Sequence, residues 1–348
     1  MLDRLYVELP PDGMRFMEVC GTHTVAIFQS GLRSLLPEAV RHVSGPGCPV
    51  CVTHETDIAA ILDLAMMDNV IMATFGDLMR VPGPEGVSLW HARARGADVR
   101  VIYSPLDAVE LARQNPSRPT IFPSIGFETT APLAAAAVLA AKRLGLDNFF
   151  ILALNKSVPP VLETILRNED CGIDALMLPG HVCTITGLAP FAPLASRYSI
   201  PCVISGFESA DIALALCLLA RQKSRGNAAL VNAYPRAVSE CGNPKAQEIM
   251  MGVFQPADAL WRGLGTVPGS GFALRDEYAA LDAQTRFTPI ARQAPPPTGC
   301  RCGDVLCGRI LPIECALFGL KCTPARPLGP CMVSSEGTCA AYFKYGTH

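Results

Sequence analysis

The chain has 348 residues, half of them hydrophobic and 17% charged, with a formal charge of −2. This length and apolar content allow two or three domains with large cores, so folding needs no disulfide framework. The near-neutral balance, without any Lys/Arg-rich run, argues against a nucleic-acid binder. The start, MLDRLYVELPPDG, lacks the basic stretch and apolar core of an export signal. The longest apolar runs, LAAAAVLAA and IALALCLLA, are shorter than the ~18–20 residues that span a bilayer. A soluble, cytoplasmic protein with no membrane partner is therefore expected. In that reducing compartment its 15 cysteines should serve as thiols, metal ligands or catalytic groups.

From Arg15 to about Ile200, short apolar runs alternate with amphipathic stretches of helical length. FMEVC predicts a strand and 24–36 a helix. VRHVSGPG predicts a strand and turn, followed by a helix over 54–67. NVIMATFG, DVRVIYS, TIFPSIGF, NFFILALN and DALMLPG each read as a buried strand and its turn. This alternation predicts an α/β fold with parallel sheets covered by helices on both faces. Sites in such folds gather at the carboxyl ends of strands, where CGTHT, GPGCPVC and GFETT fall. CGTHT (20–24) also echoes GFETT (126–130) in length and in its Thr-rich helix start, as two similar α/β halves would. The expected division is a first α/β domain over 15–119, a second over 120–224 and a C-terminal domain over 225–348, joined by residues 1–14. Beyond Ser224 the alternation fades, and QAPPPTG (293–299) introduces a different composition.

The last 49 residues hold seven cysteines, at 300, 302, 307, 315, 322, 331 and 339. A segment so rich in loops needs a staple, which zinc, an iron–sulfur cluster or disulfides could supply. Zinc ribbons pair two close C-x2-C knuckles, which this segment lacks, and the compartment disfavours disulfides. A cubane cluster takes four thiolates, but spacing alone does not choose four among seven.

Elsewhere, Cys20 in MEVCGTHT sits at a strand end, where a helix N-terminus favours thiolate, with His23 three residues on. The two could bind a soft or borderline metal, act as a Cys/His nucleophilic couple, or be a buried Cys beside a capping Thr. Cys48 and Cys51 have thioredoxin-type spacing, which suits a redox pair, half a metal site or simple packing. Glu128, Thr129 and Thr130 stand at the mouth of an Ala-rich helix whose free N–H groups could receive an anion; a threonine there also caps the helix. His181 and Glu208 read as structural, and Cys171, Cys183, Cys202, Cys217 and Cys241 as core. No Walker A sequence, G-x-G-x-x-G after a strand or H-E-x-x-H is present.

Taken together, MEVCGTHT, SGPGCPVCV, GFETTAP, LPGHV, ISGFE, WRGLG and the tail CxCGDVL…LPIECALFGLKCTP…GPCMVSSEGTCAAYFKYG resemble the HypD family of hydrogenase maturation factors, from about residue 15 to the C-terminus. The resemblance implies two similar α/β domains plus a third carrying a 4Fe–4S cluster. It implies a cytoplasmic scaffold that works with a HypC-like small chaperone, receives cyanide from a HypE-like donor and indirectly serves the hydrogenase large subunit. The cargo is iron carrying cyanide and carbon monoxide ligands. On the family pattern C-x14-C-x6-C-x16-C, Cys300, Cys315, Cys322 and Cys339 would hold the cluster. Cys302 and Cys331 would be redox thiols beside it, and Cys48 and Cys51 a second redox pair. Cys20 would hold the assembling iron, with His23 near it and Glu128, Thr129 and Thr130 lining the same cleft. Cys307 would add a thiol near the cluster. The alternative is an iron–sulfur-dependent thiol/disulfide oxidoreductase, which would use the same cysteines except Cys20.

Overall fold

The computed structural model describes residues 2–168, 172–287 and 299–346. Its strands, in chain order, are β1 (Met14–Glu18), β2 (Val40–Ser44), β3 (Ile71–Thr74), β4 (Asp98–Val101), β5 (Thr120–Ser124), β6 (Phe149–Ala153), β7 (Ala175–Pro179), β8 (Cys202–Ser205), β9 (Leu230–Asn232), β10 (Phe254–Trp261) and β11 (Gly265–Leu274). One parallel sheet runs β2-β1-β7-β8-β9 and a second runs β4-β3-β5-β6; β10 and β11 form an antiparallel hairpin. The protein is thus α/β, with two parallel-sheet bodies and a cysteine-rich, loop-rich tail.

Strands β3, β5, β7 and β8 bury every side chain, so both faces of each sheet must be covered. The two-residue side-chain period distributes them. In β5 and β6, Phe122 and Ile151 face the Ala-rich helix Ala131–Arg143, while Ile121, Phe150 and Leu152 face the opposite way. That second face merges with Met17, Val43, Leu176, Leu178 and Ile204 of the other sheet into one apolar cluster, so the two sheets share a core. Burying each such Leu, Ile or Phe contributes about 1.5–3 kcal/mol. Among the described residues no helix is long and apolar enough to cross a membrane.

The strand and helix expectations over residues 15–205 locate the elements, except that the helix expected over 24–36 runs Gly21–Gln29 and is stopped by the left-handed Gly31 before a short turn at Leu32–Leu35; the domain division also differs. The chain leaves the first sheet after β2, builds β3–β6, and only then returns to add β7, β8 and β9. A boundary at 119 would part β3 from β5, which pair directly at Ile71–Thr120 and Met72–Ile121. Residues 225–287 do not belong with the tail either. β9 closes the first sheet, while Met250, Phe254, Phe272 and Tyr278 pack against helix Ala131–Arg143. Nor does the N-terminus join the tail: helix Leu2–Glu8 lies on helix Ser209–Ser224, with Leu5 beside Ile212 and Leu216 and Glu8 bonded to Arg221 at 2.8 Å. Local alternation marks strands and helices without saying which strands pair. Most of QAPPPTG, and Cys171, lie outside the described residues. Cys183, Cys202 and Cys217 are buried as expected, whereas Cys241 is exposed in a turn that leads to helix Pro244–Val253.

Candidate functional site

Because β1 and β2 are parallel neighbours, the loops at their carboxyl ends meet, which brings CGTHT against GPGCPVC. Gly21 N–H donates to the Gly47 carbonyl at 3.1 Å. A methyl group on Gly47 would lie 2.3 Å from the Cys20 backbone N, so only glycine permits this approach. Cys20 is the N-cap of helix Gly21–Gln29, and its N–H donates to Glu18 Oε2 at 2.9 Å. Glu18, wholly buried, also accepts from the Thr24 hydroxyl at 2.5 Å and stands 3.5 Å from His42 Nε2. Burial pushes Glu18 up, but His42, Thr24 and the Cys20 N–H more than offset it and hold it below its usual range.

The expectation that the helix end favours a Cys20 thiolate is overturned. Burial, with Glu336 and Glu18 adding to it, pushes the Cys20 thiol up to about 12, despite hydrogen bonds from the His23 backbone and Thr22. His23 is buried, its Nε2 donating to the Gly206 carbonyl at 2.8 Å. That bond makes Nδ1 the lone-pair nitrogen, and Nδ1 has no hydrogen-bond partner. Phe207 stacks on His23 at 4.5 Å and on His181 at 3.8 Å between ring centroids. LPGHV and ISGFE, from the ends of β7 and β8, thereby join the Cys20 site, and His181 has a more specific place than the structural one expected of it.

Cys48 and Cys51 are both buried and joined by a disulfide, their Cα atoms 5.2 Å apart, with Cys48 as N-cap of helix Pro49–Val52. The tail docks here. The Cys51 sulfur lies 3.9 Å from the Pro330 carbonyl, at the start of helix Pro330–Val333, which carries Cys331. The sulfurs of Cys331 and Cys302 are 2.7 Å apart. Bonds from Cys300 and Cys331, helped by nearby Arg262, hold the Cys302 thiol well below its usual range. Arg262 in WRGLG is itself buried, bonded to the Thr53 carbonyl at 3.1 Å and paired with Glu55. At Gly263 the φ is +80°, and an added methyl would meet Gly303 Cα at 2.4 Å, so the hairpin and the tail helix Cys302–Leu306 touch backbone to backbone.

Six tail cysteines (300, 302, 315, 322, 331 and 339) line one cavity, walled otherwise by Arg301 and by apolar side chains such as Leu317, Phe318 and Met332. Cys307 is not among them: it is buried with its sulfur 3.7 Å from the Gly263 carbonyl. As they stand, no three Cys, His, Asp or Glu side chains among the described residues are gathered as metal ligands. The cavity collects the thiols without drawing them to bonding distance.

GFETT occupies the matching place on the second sheet, after β5. Glu128 is buried, accepting from the Ser157 hydroxyl at 2.7 Å and Val158 N–H at 2.8 Å, while its Oε2 has no hydrogen-bond partner. Thr130 is the N-cap of helix Ala131–Arg143, but its hydroxyl does not cap; it donates to the Phe127 carbonyl at 3.2 Å. Thr129 is half-buried. Cys183 links the two motifs: burial raises its thiol, and both Glu128 and Cys20 are close enough to raise it further.

Glu128 also carries a pH signature. Burial raises its carboxyl to about 7, against the hydrogen bonds that pull it down. Because the folded carboxyl binds its proton more tightly than the unfolded one, the contribution of Glu128 to stability is full below pH ~4.5 and falls as pH rises toward about 7, by on the order of 3 kcal/mol. Glu128→Gln keeps an acceptor for Ser157 and Val158 and should flatten that slope. Urea unfolding at pH 5 and pH 8 checks it: the wild type should lose stability between the two and the variant should not.

The parallel α/β scaffold thus presents a half-buried cysteine and a C-x-x-C disulfide at neighbouring strand ends, with a thiol-lined cavity of the tail docked beside them. The chain matches the model of the family described as "HypD: Hydrogenase formation hypA family" over residues 4–346. It is 44% identical over 344 residues to hydrogenase maturation factor HypD2 of Bradyrhizobium diazoefficiens, covering 97% of this chain and 90% of that protein. Identity to hydrogenase maturation factor HypD of Escherichia coli K12 is 44% over 333 residues, or 95% of this chain and 89% of that one. To HypD of Rhizobium leguminosarum bv. viciae it is 44% over 344 residues, 97% and 89%. The chain belongs to the HypD family of hydrogenase maturation factors.

The sequence did not single out Glu18, His42, Phe207, Arg262 or Glu336 as site residues. Glu18 left a trace, as a carboxylate inside an apolar strand. Glu336, which accepts from the Thr22 hydroxyl at 2.8 Å, left none.

Proposed function

We propose that the chain is an assembly scaffold on which, with a HypC-like partner, iron receives cyanide and carbon monoxide before passing toward the large subunit of a nickel–iron hydrogenase. Cyanide would come from a HypE-like donor. The observation that carries this reading is the convergence of Cys20, the Cys48–Cys51 pair and the tail with its six-thiol cavity at the carboxyl ends of β1 and β2. In this reading Cys20 anchors the iron. Its raised thiol must lose a proton as the metal binds, with the carboxylates Glu18 and Glu336 beside it. The GFETT helix start offers N–H groups to an incoming anion, and Glu128, titrating near neutrality, can hold or release a proton there.

The tail cavity fits a 4Fe–4S cluster in its donor chemistry, since it offers thiols in an apolar wall, and Cys300, Cys315, Cys322 and Cys339 would hold it. The bound cluster supplies single electrons. Cys302 and Cys331, as a dithiol, can reduce the Cys48–Cys51 disulfide by exchange. A thiolate of the first pair attacks a sulfur of the second and its partner resolves the mixed disulfide. Two electrons move, so the 302–331 disulfide forms as Cys48 and Cys51 become thiols.

The test is an infrared spectrum of the anaerobically purified complex with its small partner, in the region of iron-bound cyanide and carbon monoxide. Wild type should show the bands and Cys20→Ala should lose them. Bands that survive the substitution would move the anchor elsewhere. No bands in a fully loaded sample would favour the thiol/disulfide oxidoreductase, which has no need of Cys20.

A further inference from the structure

The chain has two tryptophans. Trp261 is fully buried, but Trp90, on the short helix Leu89–Ala94, is 61% exposed. It lines an open groove with Arg80, Pro82, His91, Arg326 and Leu328, and no carboxylate is among the lining residues. Arg93 and Arg95 are exposed just beyond on the chain. On a protein of net charge −2, this concentration of arginine is local. An exposed indole framed by arginines has the composition of a binding hot spot, and the sign of its charge selects an acidic partner.

The groove also leads to the thiol cavity. Arg80 donates to the Pro324 carbonyl at 2.7 Å, which fixes the loop that forms the far wall. In that loop Leu328 N–H donates to the Cys322 sulfur at 3.4 Å, and the next residue, Gly329, already lines the cavity. A methyl group on Gly329 would lie 2.7 Å from the Cys300 sulfur. One loop, residues 322–329, thus has Leu328 in the wall of the basic groove and Cys322 and Gly329 in the wall of the cavity.

We infer that the Trp90 groove docks a small, acidic, one-electron carrier protein that feeds the cluster held by the tail cysteines. This rests on the proposed function, because it needs the cluster as electron acceptor. The transfer is balanced: the carrier loses one electron, the cluster gains it, and no bond forms or breaks.

The test uses the full chain, purified anaerobically, and a photoreduced acidic [2Fe–2S] ferredoxin. Reduction of the cluster is followed by stopped-flow absorbance, and binding of the oxidised ferredoxin by titration calorimetry. Trp90→Ala and Arg326→Glu should each slow reduction and weaken binding about tenfold, while Arg326→Lys stays near wild type. Added salt should slow the wild-type reaction. Reduction by dithionite, which needs no docking surface, should be the same in all four proteins. A visible cluster reduced by the ferredoxin equally fast in wild type and variants would overturn the groove alone. A chain that carries no cluster would overturn the proposed function and this inference together.

Discussion

Cys322→Ser should strip the anaerobically purified chain of its visible iron–sulfur absorbance and take bound iron from about four atoms to nearly none. The tail has little secondary structure of its own. Its regular structure is limited to short pieces: Cys302–Leu306, a single turn at Pro312–Glu314, Pro330–Val333 and Thr338–Tyr345. Cys322 also accepts the Leu328 N–H, so its loss loosens the loop between the cavity and the Trp90 groove. Hydrogen exchange should therefore accelerate over residues 299–346 while the sheet cores stay protected. Cys302 and Cys331 line the same cavity and are the substitutes to watch. If Cys322→Ser kept its iron and Cys302→Ser lost it, Cys302 would be the ligand and the assignment implied by the family pattern wrong.

The second large effect is expected at Gly47→Ala. The new methyl would lie 2.3 Å from Cys20 N, 2.4 Å from Cys20 Cα and 2.6 Å from the Val19 carbonyl carbon. All three are backbone atoms, which cannot rotate out of the way as a side chain would. Overpacking of this kind costs about 1–3 kcal/mol and sometimes more. The relief available is to part the two loops, which breaks the Gly21–Gly47 hydrogen bond and separates Cys20 from the Cys48–Cys51 pair. We expect a lower urea midpoint together with faster alkylation of Cys20. Gly252→Ala is the control: it lies in helix Pro244–Val253, and its methyl would meet nothing within 4 Å. That change should leave stability unchanged or raise it by up to about 1 kcal/mol. Equal effects at both positions would mean that the close approach does not hold the site together.

Much of this could be read from the sequence, for reasons specific to each part. Strands such as ALMLP are apolar throughout because both their faces are buried, so they stand out in any window. CGTHT, GPGCPVC and GFETT were legible as site material because strand-to-helix turns are where an α/β fold exposes chemistry. The pairing order was not legible. Nothing near residue 44 or 153 signals that the chain is changing sheets, since each strand carries the same apolar pattern whichever neighbour it takes. The Cys20 thiol was misjudged because the local motif shows the helix start, and Glu18, but not the burial that raises the thiol or the second carboxylate that adds to it. That carboxylate, Glu336, lies more than 300 positions away in the chain. Phe207 and Arg262 escaped for the same reason, as their partners His23 and Glu55 come from distant segments.

The interleaving of the two sheets also has a consequence for synthesis. β1 and β2 emerge from the ribosome early, yet β1 gains its inner neighbour only when Ala175–Pro179 arrives, after the whole of the second sheet has been made. The lid over the start of the Cys20 helix comes later still, with Glu336. A nascent chain therefore exposes CGTHT and CPVC for most of its translation without the surroundings that set their chemistry. The order of the strands works as a timing device: the surroundings of Cys20 close only once the segment around Glu336 has been made, so a product stalled before it has no complete Cys20 site.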